Sequence, residues 1–152
     1  MGGFVYGTIV ALAVLVAGAR AYPHSSGHIA ALVLGTTVVL WLAHVYAHAL
    51  GESVARDRRL TMAELRHVAR HEGAIVEAAL IPCAALLLGA VGLISTRAST
   101  WLALAAGLAV LAAQGFMFAR VERMGWRGTL LIVSINLALG VTLIGLKLIV
   151  TH

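Results

Sequence analysis

The sequence predicts an all-α integral membrane protein, a single domain over residues 1–152 built as a bundle of about five transmembrane helices. Three observations lead there. The chain of 152 residues is 61% hydrophobic and only 11% charged, with a mean hydropathy of +0.98, outside the range of soluble domains. Its apolar residues come in continuous runs of the length that crosses a hydrocarbon core, ~20 residues at ~1.5 Å each. Those runs do not alternate apolar and polar positions as the strands of a membrane barrel would.

The first span is residues 4–19, closed by Arg20. Ala19-Arg20-Ala21 loosely fits a signal-peptidase site, but no positive charge precedes the run, so it is read as a retained helix. Pro23, Ser25, Ser26 and Gly27 then make residues 22–28 a turn, with His24 and His28 as a solvated pair. The second span, residues 29–50, is rich in Val, Leu and Ala. A charged break follows at 51–60, holding Arg56, Asp57, Arg58 and Arg59.

Thr61 and Glu64 have the spacing of a capping box, in which each side chain bonds the other's backbone N–H. The helix they start is expected to continue through Arg66 and Arg70 into the third apolar run, 73–94. The third helix would then extend ~15 Å into the cytoplasm at ~1.5 Å per residue. Pro82, inside that run, is expected to kink it. A short turn with Arg97 leads to the fourth span, 101–119, which ends in Arg120, Arg123 and Arg127. The fifth span is 129–150, with Lys147 placed to snorkel to the interface.

Five spans put both arginine-rich loops, 51–72 and 120–128, on one side, as the positive-inside rule requires. The expected placement is a cell inner or plasma membrane, N-terminus cytoplasmic and C-terminus outside. The net charge of +5 then reflects topology and anionic lipid rather than nucleic acid. A single cysteine, Cys83, excludes an internal disulfide and any multi-cysteine metal site.

Residues 41–77 hold four of the seven histidines and five of the six acids. On the second helix Trp41, His44, His48 and Glu52 share one face, and on the third Glu64, His67 and His71 share another, by their three- and four-residue spacing. Counting from the membrane edges sets His48 level with His71 and Glu52 level with His67. His44 lies ~9 Å inward and Glu77 ~6 Å inward at 1.5 Å per residue, so Glu77 is expected to be paired with His44, protonated, or open to water. Gln114 and Asn136 fall at comparable depth on the fourth and fifth helices.

Two chemistries suit this set. Proton exchange would use His44 and Glu77 with Gln114 and Asn136, because burial and pairing shift carboxylate and imidazole titration. A divalent transition metal, zinc or iron, would take His44, His48, His67, His71, Glu52 and Glu64, since two H-x3-H pairs present imidazoles on facing helices. Haem between two of these histidines is the weaker option. The plain alternative is solvated interfacial residues paired with neighbouring arginines. No serine, cysteine or aspartate has the setting of a nucleophile with its base, so an enzyme would have to be metal-dependent.

The functional expectation is a small membrane protein that translocates or senses protons or a divalent cation, as a homo-oligomer or a subunit of a larger membrane complex. The other two expectations are an intramembrane metal or haem protein with redox or hydrolytic chemistry, and an accessory structural subunit.

Overall fold

The computed structural model describes residues 2–150, and the surroundings of side chains for residues 3–142 and 145. Its helices are α1 (Gly2–Ala21), α2 (Ser26–Ala55), α3 (Met62–Glu72), α4 (Ala74–Ala90), α5 (Thr96–Val121) and α6 (Trp126–Val150), with no strand among the described residues. Four stretches are long and apolar enough to cross a membrane: α1, α2, α3 continued by α4, and α5. The described apolar part of α6, Trp126–Thr142, is shorter. With α3 and α4 as one arm, a bundle of five fits. The Lys147 side chain lies outside the described residues.

Local chemistry sets the helix ends. Ser25, Thr61 and Ser95 cap α2, α3 and α5, each accepting a backbone N–H from three residues on. The capping box is complete: the Thr61 hydroxyl accepts the Glu64 N–H at 3.3 Å, and the Thr61 N–H donates to Glu64 Oε2 at 2.8 Å. The C-termini of α2, α4 and α5 close alike, with Asp57, Gly92 and Arg123 at positive φ. In each, the next N–H returns to a carbonyl five residues back: Arg58 to Ser53, Leu93 to Leu88 and Met124 to Ala119.

The third arm differs from expectation in two ways. It divides at Gly73, where an unbroken helix was expected; Pro82 lies buried inside α4. At Gly73 the N–H turns to the Arg70 carbonyl, three residues back, so the regular ladder is interrupted there. The other is that α3 packs against α2. Its Val68 and Glu72 are buried, and the Trp41 indole N–H of α2 donates to the Ala69 carbonyl at 2.9 Å.

Helix α1 runs through the middle, touching α2, α4, α5 and α6. It can do so because its inward face carries small residues. A Cβ on Gly7 would stand 2.7 Å from the Ile75 carbonyl oxygen and 2.8 Å from Ile75 Cα, so α1 and α4 cross backbone to backbone there. Leu12, Leu15, Ile29, Val33, Leu86, Leu104 and Leu111 fill the core around this helix.

Candidate functional site

One carboxylate is built into the packing. Along the third arm Val68, Glu72, Ile75, Ala79, Cys83 and Leu86 recur every three or four residues, and all are buried. Glu72 therefore occupies a core position of an otherwise apolar stripe, 8% exposed. Gly3, in the first turn of α1, stands over it, with space for a Cβ 3.7 Å from Glu72 Oε2. The first turn of a helix carries unpaired N–H groups and a positive dipole end, a setting favourable to an anion.

Histidines converge on the same carboxylate. His48 Nδ1 lies 3.0 Å from Glu72 Oε1, and His71 Nδ1 lies 3.8 Å from the same oxygen. Both imidazoles are exposed while the carboxylate is enclosed. This matches the common level expected for His48 and His71. The carboxylate they meet, however, is Glu72, which is not among the residues singled out from the sequence.

His44 and Glu77 are not brought together. His44 Nδ1 contacts the carbonyl of Leu40 in its own helix at 3.0 Å, and its ring lies 5.3 Å from that of Tyr6 on α1. Glu77 is exposed on the outer face of α4 with Leu80, Ile81 and Leu87. Among the described residues no ion pair reaches it.

Of the six residues expected to share a metal, His48 and His71 lie against the same Glu72 oxygen, while the two carboxylates are taken elsewhere. Glu64 is held by Arg56 at 2.8 Å and Arg58 at 2.6 Å, and Glu52 lies 3.6 Å from Arg56. His67 is exposed. Among the described residues no three His, Cys, Asp or Glu side chains are grouped as a metal ion would need. The cause is electrostatic: the arginines of the 51–60 loop take both outer carboxylates. The Arg58 hydrogen bond, followed by those from Thr61, holds the Glu64 carboxyl well below the usual carboxylate range, and the same contact raises Arg58.

Gln114 and Asn136 do come to one place, between α1, α5 and α6. The Thr8 hydroxyl donates to the Phe4 carbonyl at 2.9 Å. Having spent its proton, it accepts from Gln114 Nε2 at 3.2 Å. Gln114 Oε1 is then buried with no hydrogen-bond partner among the described residues, an arrangement that costs about 1–3 kcal/mol. Asn136 Nδ2 donates to the Leu111 carbonyl at 3.4 Å. It rests on the bare backbone of Gly115, where a Cβ would be only 2.8 Å away.

Sequence reasoning missed Glu72, Thr8 and Tyr6. For Glu72 the signal was present in the four- and three-residue spacing from Val68 to Ile75. Thr8 and Tyr6 carry no such mark in an apolar first helix. No protein-family model, curated protein or solved structure matches this chain.

Proposed function

We propose that this chain is a multi-pass membrane protein, N-terminus cytoplasmic, whose His48–Glu72 pair exchanges protons at the cytoplasmic mouth of the bundle. The observation that carries the reading is the asymmetry of the pair: an enclosed carboxylate 3.0 Å from an imidazole open to solvent. Histidine is the side chain that ordinarily titrates near physiological pH. It can pass a proton between water and a carboxylate that water does not reach freely, and His71 offers a second exposed imidazole to the same oxygen. Proton sensing or translocation is favoured over the divalent cation because two of the six metal candidates are occupied by arginines.

The membrane setting rests on the long apolar helices and on the two loops, 51–72 and 120–128, that hold eight of the ten arginines. Within it, the outward Glu77 favours a homo-oligomer, since a carboxylate facing hydrocarbon costs at least ~2.5 kcal/mol near a helix centre unless it is neutralised or covered.

The test is proton flux into proteoliposomes loaded with a pH dye, alongside the pH dependence of the His48 imidazole NMR signals. Glu72→Gln and His48→Ala are expected to abolish flux or flatten the pH response, while His67→Ala leaves both intact. Wild-type behaviour in both Glu72→Gln and His48→Ala would overturn the proposal.

A further inference from the structure

The two arginine-rich loops differ in how their charge is met. In the 51–60 loop, Arg56 and Arg58 are paired with Glu52 and Glu64. The turn between α5 and α6 sets Arg120, Arg123 and Arg127 against a single acid, Glu122. Among the described residues none of these three arginines lies in an ion pair. Two of them are held on aromatic rings instead. The Arg120 guanidinium lies 5.8 Å from the centre of the Phe116 ring, and that of Arg127 5.4 Å from the centre of the Trp126 ring. A cation–π contact of this kind positions a guanidinium and leaves its charge unneutralised.

Both rings line one groove of about 850 Å³ between α5 and α6. Arg120 belongs to its lining, and Ala112, Ala113, Leu130 and Val133 continue it along the two helices. Phe116, Trp126 and Leu130 are exposed, so the groove opens on the outside of the bundle. Ala112 lies eight positions before Arg120 on α5, ~12 Å deeper at ~1.5 Å per residue. The groove is thus cationic and aromatic at the membrane edge and apolar further in. A free anion would match the arginines and leave the apolar length uncovered. An apolar helix would cover that length and leave the charges unmatched. A zwitterionic lipid brings a cation of its own to the same place. A phospholipid with a net negative headgroup answers both ends of the groove.

We infer that the α5–α6 groove is a binding site for an anionic phospholipid, whose phosphate is held by Arg120 and Arg127 while one acyl chain lies over Ala112, Ala113 and Val133. Arginine suits this task because its planar fork can give two parallel N–H bonds to phosphate oxygens. The inference uses the membrane setting proposed above and not the His48–Glu72 pair, and its readout, lipid retention, is independent of proton flux.

The experiment releases the full chain from nanodiscs of phosphatidylglycerol and phosphatidylcholine in equal parts, with the same acyl chains, and counts the lipids it retains by native mass spectrometry. Phosphatidylglycerol is expected to be retained at least ~10-fold over phosphatidylcholine, the scale of two arginines at an anionic lipid surface. Arg120→Gln combined with Arg127→Gln is expected to bring that ratio close to one. Val133→Trp, which fills the groove from α6, is expected to lower phosphatidylglycerol retention by a similar factor. Arg59→Gln removes one charge from the other loop and is expected to leave the ratio unchanged. Glycerol phosphate, the headgroup without its chains, is expected not to displace the lipid at millimolar concentration. Equal retention of the two lipids by the wild type, or displacement by glycerol phosphate, overturns the inference without reference to any variant. A preference that survives the double arginine substitution, or that Arg59→Gln lowers as much, overturns it as well.

Discussion

Replacing Gly7 by alanine tests the organisation of the bundle most directly. The added Cβ would meet three backbone atoms of Ile75, its carbonyl oxygen at 2.7 Å, its Cα at 2.8 Å and its carbonyl carbon at 3.1 Å, where ordinary contact begins near 3.4 Å. Backbone cannot swing aside as a side chain can, so α1 and α4 must separate by roughly half an ångström in a close-packed interior. Overpacking of this kind costs ~1–3 kcal/mol, against which alanine returns up to ~1 kcal/mol of helix propensity. The net expectation is a loss of about 1–2 kcal/mol. Gly35→Ala is the control. Nothing lies within 4 Å of its added Cβ, so only the propensity gain remains and stability should rise by up to ~1 kcal/mol. Reversible unfolding in mixed micelles, followed by far-ultraviolet circular dichroism, measures both. The two alanines are expected to move stability in opposite directions. If Gly7→Ala stabilises as Gly35→Ala does, the crossing is not where it is described, and the account of α1 as the central helix fails.

Three further outcomes are expected. Trp41→Phe removes the indole bond to the Ala69 carbonyl and should cost about 0.5–1.5 kcal/mol, seen as faster amide exchange confined to α3; unchanged exchange there would show that α3 is held by other contacts. Glu64 has a folded-state pKa depressed below its ordinary value, so its contribution is present above the usual carboxylate range and is lost as pH falls below that range. Local helicity of α3 should therefore decline in acid, and Glu64→Gln should remove this acid step. Arg123 holds a left-handed φ of 50°, which costs a side-chain-bearing residue ~1–2 kcal/mol; Arg123→Gly should therefore raise stability by about 0.5–1 kcal/mol once its greater unfolded freedom is subtracted.

Much of the fold was legible because its determinants are local. The capping box at Thr61 and the lengths of the apolar runs follow from residue type and spacing alone, whereas the turn expected over 22–28 ends at Ser25, whose cap lets Ser26, Gly27 and His28 join α2. The level of His48 against His71 could also be counted, because rise along a helix is regular. What could not be counted was direction around the axis. Glu72 and Glu77 are five residues apart, which at ~100° per residue sets them roughly 140° apart on one helix. The backbone at Gly73 keeps near-helical angles, φ −56° and ψ −25°, so this separation survives the break. Both glutamates cannot face the core. The stripe through Val68, Ile75, Ala79 and Leu86 selects Glu72, whereas depth alone favoured Glu77. The Gly73 break itself was hidden, since proline is the louder signal and glycine in an apolar helix carries no mark of where a ladder will fail.

The polar features of the arginine-rich end share a support that no single one of them reveals. Gly3 covers Glu72, Tyr6 lies against His44, Gly7 crosses Ile75, and Thr8 orients Gln114. All four lie in the first two turns of α1. Helix rotation or sliding at the Gly7 crossing must therefore change the cover over the His48–Glu72 pair and the orientation of the Gln114 amide together. The His48–Glu72 pair and the Gln114 amide are thus mechanically joined through a rigid element, which is the physical condition for one to bias the other. In the Gly7→Ala protein, where the crossing is displaced, both the proton-exchange rate at Glu72 and the side-chain amide NMR signals of Gln114 should change. If one shifts while the other keeps its wild-type value, the first two turns of α1 do not act as a unit.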